Sequence, residues 1–471
     1  MSAIKNGGRK FGLLALIISA FYVFLILRLP IWVDEAFTIQ QTSLSIEALL
    51  SDSLGGFDAV HLLYYLICWP ISLTFYNPLF ALRLLSVLAT LGTIRNIYIF
   101  TSVKIDSRTA LVSAGLFGLF PVTVDFATQA RSTALVTYLI SFTIQIAIRF
   151  EGSLNSHRFY LLIIISCFFV TMNITALIGY FIFAIYLIVE NQNYFFEKKK
   201  YIPLFAPLLL SLPTTTLAIM QKNQVAWISS HNQSSDIFSQ LVYWPFLESE
   251  RTIKGYGLVI ALVVTLIAFV GVLKYFKERF DSFLILLCAL ATIPPISLQI
   301  FSTIQPLFLT RYFAYGSIGA SIVCGFIIST LRKHFLRIII LSAFGIICCV
   351  NITSFSHNRA GHMDWDFISK EVKNGPRSVV VVVEPGWASP LASYYFEEFP
   401  EKEIIGGIPN FEAKELSGCK SLPKRLWLVS TFERIERRQV EDIANIGYSS
   451  ISDNRANGLV LFDRKKCDTP K

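Results

Sequence analysis

Residues 27–40 read LRLPIWVDEAFTIQ. They close an apolar run that carries no charge from Phe11 to Leu27, and they set two adjacent carboxylates, Asp34 and Glu35, at its edge. Trp32 and Phe37 flank the pair. An apolar run of about 18 or more residues is long enough to cross a bilayer, so this edge reads as the exit of a membrane span. Composition extends that reading to the chain. Of 471 residues, 54% are hydrophobic and 15% charged, against about 25% charged in a soluble globular domain. Mean hydropathy is +0.57. A surface this poor in charge faces lipid, and the chain reads as an α-helical polytopic membrane protein.

Apolar spans are expected near 11–29, 78–100, 109–124, 132–149, 159–172, 174–190, 201–219, 256–273, 283–301, 312–330 and 337–354, about eleven crossings. The two spans between 159 and 190 are also compatible with one long kinked helix. The stretch HLLYYLICWPISLTF from His61 is shorter and contains Pro70, which suggests an interfacial or re-entrant helix.

The net charge of +9 does not indicate a nucleic-acid partner. From Phe355 onward 17 basic and 17 acidic residues cancel, so the surplus sits in the first 354 residues. With the N-terminus inside, the inner segments carry 16 basic residues, Arg9, Lys104, Arg149 and Lys198 among them, and the outer segments carry 7. Excess Lys and Arg on the cytoplasmic side is the usual topology signal, and it puts Asp34 and Glu35 outside. The first span has a basic start but no convincing cleavage site, and reads as a retained anchor.

The last ~115 residues change character. RSVVVVVEPG, RLWLVS and GLVLFDR read as strands, SPLASYYFEEF and ERIERRQVEDIANIG as helices. The alternation predicts a small extracytoplasmic α/β domain, giving a boundary of 1–354 and 355–471. Cys419 and Cys467 both fall in it, where a disulfide is permitted but not required by their spacing. No Cys/His spacing fits a zinc site.

Other polar residues gather on the outer face beside Asp34 and Glu35. His61 opens the short apolar stretch. Arg83 lies inside the span that begins NPLFALRLL, where a charge needs a partner or a route to water. Asp125 and Arg131 frame the loop PVTVDFATQARSTAL, and Arg311-Tyr312 opens a late span. Each has an ordinary reading, as a helix-end acid, a snorkelling arginine or a local ion pair. Together they suit a reaction that removes a proton from one substrate and stabilises a phosphate leaving the other. A carboxylate serves as general base, and arginines hold a phosphate as charge develops.

The order of DEAFT after the first span, HLLYY, ALRLLSVL, QARSTAL, a late RYF and an outer α/β tail resembles the C-type (GT-C) membrane glycosyltransferases. The similarity is to the family-39-like bacterial enzymes, relatives of polyprenyl- and dolichyl-phosphate-mannose protein mannosyltransferases and of the lipid A aminoarabinose transferase. The segment HMDWDFISKEVKNGPRSVVVVVEPGW also resembles the start of the family's extracytoplasmic tail.

The resemblance implies transfer of a sugar from a polyprenyl-phosphate donor to a lipid, glycan or protein acceptor outside the cytoplasmic membrane, with inversion. It implies Asp34 as general base, with Glu35 orienting it or the acceptor. His61 would lie near the cavity, and Arg131 and Arg311 at the donor phosphate. Tyr312 would flank the lipid channel and Arg83 support the first outer loop. Three departures concern donor identity and the Asp125–Arg131 loop: HLL where Pro often follows the His, Thr133 where Tyr is common, and Gln129 where an acid is common. No cofactor or metal is required. Relatives that transfer oligosaccharides do use a divalent cation, for which Asp34 and Asp125 are suitable ligand types.

Two readings compete. A transporter or flippase for lipid-linked saccharides would show repeats or mid-membrane charge. A polymerase or ligase would place its chemistry in a later loop such as 220–255, with His231, Arg251 and Lys254.

Overall fold

The computed structural model describes residues 2–54, 61–150, 154–192, 194–195, 201–220, 282–301, 310–331, 333–358, 365–374, 379–384, 389–396, 403–406, 425–430, 440–441, 443, 448–454 and 459–464. The loop 220–255, the span near 256–273 and both Cys419 and Cys467 fall wholly or almost wholly outside these residues. The chain divides into two compact units, Met1–Arg28 with Gln41–Thr353, and Leu29–Gln40 with Ser354–Lys471.

The first unit is helical. Its early elements are α1 (Ser2–Arg28), the end of α2 (Val33–Ser43), α3 (Ile46–Leu54), α4 (Leu62–Thr74), α5 (Pro78–Lys104), α6 (Ser107–Leu119), α7 (Pro121–Ala127), α8 (Ser132–Arg149), α9 (Ser156–Met172) and α10 (Ala176–Glu190). Longer helices follow at Ala206–Met220, Ser282–Phe301, Ser317–Thr330 and His334–Asn358.

Side-chain caps start several of them. Asn77 accepts the Phe80 N–H at 2.9 Å ahead of Pro78, which needs no donor at that position. Asp106 accepts the N–H groups of Arg108 and Thr109 at 2.8 and 2.9 Å and the Thr109 hydroxyl at 2.6 Å. Asn155 accepts the Arg158 N–H at 3.0 Å.

Among the described residues four helices are long and apolar enough to cross a membrane: Gly8–Arg28, α5, α8 and Ser282–Phe301. Their outer surfaces suit lipid. Leu16 on α1 is 66% exposed, and Leu88 on α5 is 58% exposed. An apolar surface this large is not stable against water.

The span expected over 109–124 is bent. α6 stops at Leu119 and α7 leaves at 64°. The cause is local: Phe120 precedes Pro121, is pushed out of the helical region, and sits at φ −56°, ψ 130°. α9 and α10 are separate helices joined through Asn173, whose φ of −154° and ψ of 112° end α9. Pro70 lies inside α4 without ending it.

α5 is central, packed against α1, α4, α6 and α8. Its buried Asn96 donates to Ser141 Oγ of α8 at 3.1 Å. Such a bond fixes the register of two apolar helices where burial alone gives little direction. The helix Ser317–Thr330 packs on α6 and on Ser282–Phe301. Two glycines permit both approaches. A Cβ at Gly319 would overlap the Leu287 carbonyl oxygen and meet Ala291 N at 3.0 Å, and a Cβ at Gly325 would meet Ser113 N at 2.9 Å.

The second unit holds a five-stranded mixed sheet of order β2-β1-β3-β5-β4. The strands are β1 (Val379–Glu384), β2 (Glu403–Gly406), β3 (Arg425–Ser430), β4 (Tyr448–Asn454) and β5 (Leu459–Arg464). β1 runs parallel to β2 and β3, and β5 runs antiparallel to β3 and β4. Val382, Leu426, Leu428, Ile443, Tyr448, Val460 and Phe462 form its core. The helices Trp365–Asn374 and Ser389–Tyr395 meet through Trp365 and Tyr395, stacked at 5.3 Å.

The valine run, RLWLVS and LVLFDR form the strands that their composition predicts. β2 and the polar β4 were not expected. β4 is an edge strand with an irregularity between Ser450 and Ser452, and its polar sequence carries no buried-strand signature.

Candidate active site

The loop between α7 and α8 gathers most of the predicted residues of the first unit. The bend at Phe120 makes α7 a short, wholly buried helix. Asp125 near its end is 2% exposed, and its Oδ1 accepts from Gln129 Nε2 at 2.5 Å. The Gln129 carbonyl accepts from Ser86 Oγ of α5 at 2.6 Å and from the Arg131 N–H at 3.0 Å. The loop is thus pinned to α5 on one side and to itself on the other.

The next two residues reach α4. Arg131 Nη1 donates to the Tyr65 hydroxyl at 3.2 Å. Ser132 Oγ lies 3.1 Å from His61 Nδ1, both groups buried. His61 is the N-cap residue of α4, makes no side-chain cap bond, and meets Ser132 through its ring. His61 and Tyr65 are four residues apart, which puts them on one face of a helix. Their rings stand edge to face at 6.2 Å.

Arg83, 2% exposed on the second turn of α5, donates from Nη1 to the Ile26 carbonyl at 3.2 Å. The helical donor for that carbonyl would come from position 30, which is proline and has no N–H. Arg83 therefore supplies a bond that the end of α1 lacks. Its charge is buried, not snorkelling.

The short turn Thr310–Tyr312 packs against α7. The Arg311 guanidinium carbon lies 5.7 Å from the Tyr312 ring centroid. The Tyr312 carbonyl accepts from Thr175 Oγ1, and the Thr175 carbonyl accepts from Tyr315 OH at 2.9 Å. Asp125, Arg131 and Arg311 are thereby carried on elements that touch one another, while His61 and Arg83 join them through Ser132 and α5.

Asp34 and Glu35 occupy the first turn of α2, in the second unit. Glu35 is fully buried, and its Oε2 accepts the Trp32 N–H at 2.9 Å. The Trp32 carbonyl in turn accepts the N–H groups of Glu35 and Ala36, each at 3.0 Å. This reciprocal pattern is the glutamate half of a capping box. Asp34 beside it is only partly buried, and its carbonyl accepts from Thr38 Oγ1 at 3.1 Å. One acid bonds the backbone of its own turn; the other is half-buried.

Sequence reasoning missed Tyr65, Gln129, Ser132 and Ser86 as partners. The His61-x-x-x-Tyr65 spacing was a usable signal for Tyr65. Nothing local pairs residue 61 with residue 132. Among the described residues no three His, Cys, Asp or Glu side chains are grouped to hold a metal ion.

The chain matches no protein-family model and no curated protein in sequence. Solved structures do match. ArnT, an aminoarabinose transferase from Cupriavidus metallidurans, bound to undecaprenyl phosphate, aligns over 98% of this chain and 99% of its own, at TM-score 0.57 and 11% identity. The chain has the fold of this ArnT. The apo form of the same ArnT aligns over 97% and 98% at TM-score 0.56 and 10% identity. The oligosaccharyltransferase AglB from Archaeoglobus fulgidus aligns over 97% of this chain and 74% of its own at TM-score 0.49 and 11% identity.

Proposed function

We propose that the chain is a membrane glycosyltransferase that takes a sugar from a polyprenyl-phosphate donor and passes it to an acceptor on the outer face of the cytoplasmic membrane. The observation that carries this reading is the pinned cluster around Arg131, with Tyr65, His61, Ser132, Asp125 and the Arg311 turn. Burying such groups in an apolar bundle is costly, and their types suit a phosphate. The match to a fold solved with undecaprenyl phosphate agrees with it.

In this reading Asp34 accepts the proton of the acceptor hydroxyl or amine. The freed lone pair attacks the anomeric carbon, and the carbon–oxygen bond to phosphate breaks. Lipid phosphate leaves with the electron pair, and Arg131 and Arg311 stabilise its charge. Attack opposite the leaving group inverts the centre. Glu35 fixes the backbone turn that carries Asp34, Asp125 holds the loop through Gln129, and Tyr312 flanks the lipid. Arginines supply the positive charge, so no metal is needed and activity should survive EDTA.

The topology that goes with this is about eleven crossings, N-terminus inside, with residues 355–471 forming an extracytoplasmic domain. Membranes holding the protein should transfer labelled sugar from one member of a panel of polyprenyl-phosphate sugars. Movement of labelled lipid between leaflets with no new glycoside would instead favour a flippase.

A further inference from the structure

The junction between α9 and α10 grips the turn that carries Arg311 at two points. Asn173 ends α9, and its Oδ1 accepts the Thr175 N–H at 3.0 Å and the Thr175 hydroxyl at 2.7 Å. This side-chain turn places the Thr175 hydroxyl, which also reaches the Tyr312 carbonyl. The hydroxyl has one hydrogen, and the backbone N–H already meets Asn173 Oδ1, so the Tyr312 carbonyl can take it. The second point is the Tyr315 hydroxyl, which donates to the Thr175 carbonyl at 2.9 Å. Tyr315 is buried, and its ring lies against Gly179 of α10, where a Cβ would come 2.8 Å from Cε2.

Both grips fall within four residues of Arg311, and the turn also packs on α7, which carries Asp125. Thr175 is the N-cap residue of α10 but makes no side-chain cap bond, so losing its hydroxyl costs α10 no cap. A group that stabilises a developing charge must be held to within about 0.5 Å by its surroundings. Arg311 is only half-buried, and a hold on its backbone narrows where the guanidinium can go.

We propose that Thr175 and Tyr315 are positioning residues of the donor-phosphate site, holding the backbone at Tyr312 so that Arg311 meets the phosphate. The idea rests on the lipid-phosphate reading above and deepens it, because it gives the α9–α10 junction a part in donor binding without touching the donor.

The test is binding of undecaprenyl phosphate to the full chain in lipid nanodiscs. Arg311→Ala should weaken it by about ten- to hundredfold, the range of a lost bond to a charged group. Thr175→Val keeps the shape of the side chain and removes the hydroxyl. It should weaken binding by about three- to tenfold, and Thr175→Ser, which restores the hydroxyl, should recover most of the loss. Tyr315→Phe removes the other grip and should act like Thr175→Val, which covers the case in which one variant folds poorly. In an Arg311→Ala background neither change should weaken binding further, because its effect runs through that residue.

A general loosening of the fold would instead add the same loss in both backgrounds. That result overturns the positioning role, as does wild-type affinity in both Thr175→Val and Tyr315→Phe. Arg311→Ala that binds like wild type removes Arg311 from the phosphate and the role with it. Wild type that does not bind undecaprenyl phosphate overturns the lipid-phosphate reading itself, and the role falls with that reading.

Discussion

At the scale of single residues, the two carboxylates in the first turn of α2 separate into different jobs. Glu35 is buried and bonded to the Trp32 N–H, while Asp34 is partly open. Glu35→Gln keeps an oxygen for that bond and should retain most activity. Glu35→Ala should lower stability by about 0.5–2 kcal/mol, the range of a lost cap, read by thermal unfolding in detergent. At Arg131, lysine keeps the charge but not the planar fork. Arg131→Lys should reduce kcat/KM for the lipid donor by about tenfold or more while leaving the fold intact, and unchanged kinetics would remove it from the phosphate site.

The sequence was informative here because charged groups are rare in an apolar chain, so each one stands out. Asp34, His61, Arg83, Asp125, Arg131 and Arg311 were visible for that reason. Ser132, Gln129 and Tyr65 were not, because hydroxyls and amides are common and their value comes from partners 43–71 positions away.

At the scale of elements, composition located most helices, but their ends are set by caps and breakers. α6 begins at Asp106, whose carboxylate accepts three bonds. Burial raises its pKa, but the bonds from Thr109 and Arg108 outweigh that and leave it below 3.8. A lowered carboxylate pKa adds stability above its unfolded value, and that stability is lost as pH falls through the folded value. Asp106→Ala should therefore cost about 0.5–2 kcal/mol at neutral pH. The gap should narrow as pH falls below the ordinary carboxylate range and through the lowered folded value, as measured by thermal unfolding.

The bend at Phe120–Pro121 was readable in principle, since a residue before proline avoids the helical region, yet apolarity ran straight through it. Helix contacts were less legible. Gly319→Ala should push against the Leu287 carbonyl and destabilise by about 1–3 kcal/mol, visible as a lower unfolding temperature.

At the scale of the whole molecule, low charge and high hydropathy made the membrane class plain, and the order of polar landmarks made the fold recognisable despite about 10% identity to its structural relatives. Strand pairing was less visible, because β2 is short and β4 is polar. The proposed topology predicts that cysteines introduced after residue 355 react with an impermeant reagent added outside intact cells, while those beside Lys104 do not.

The central claim is chemical: a carboxylate at Asp34 takes the acceptor's proton while a lipid phosphate leaves. The direct measurement is transfer of labelled sugar from polyprenyl-phosphate donors by membranes holding wild type or Asp34→Asn at matched expression. The account predicts turnover by wild type and a loss of at least about a hundredfold in the variant, the scale of general-base catalysis. Equal turnover in both would contradict it.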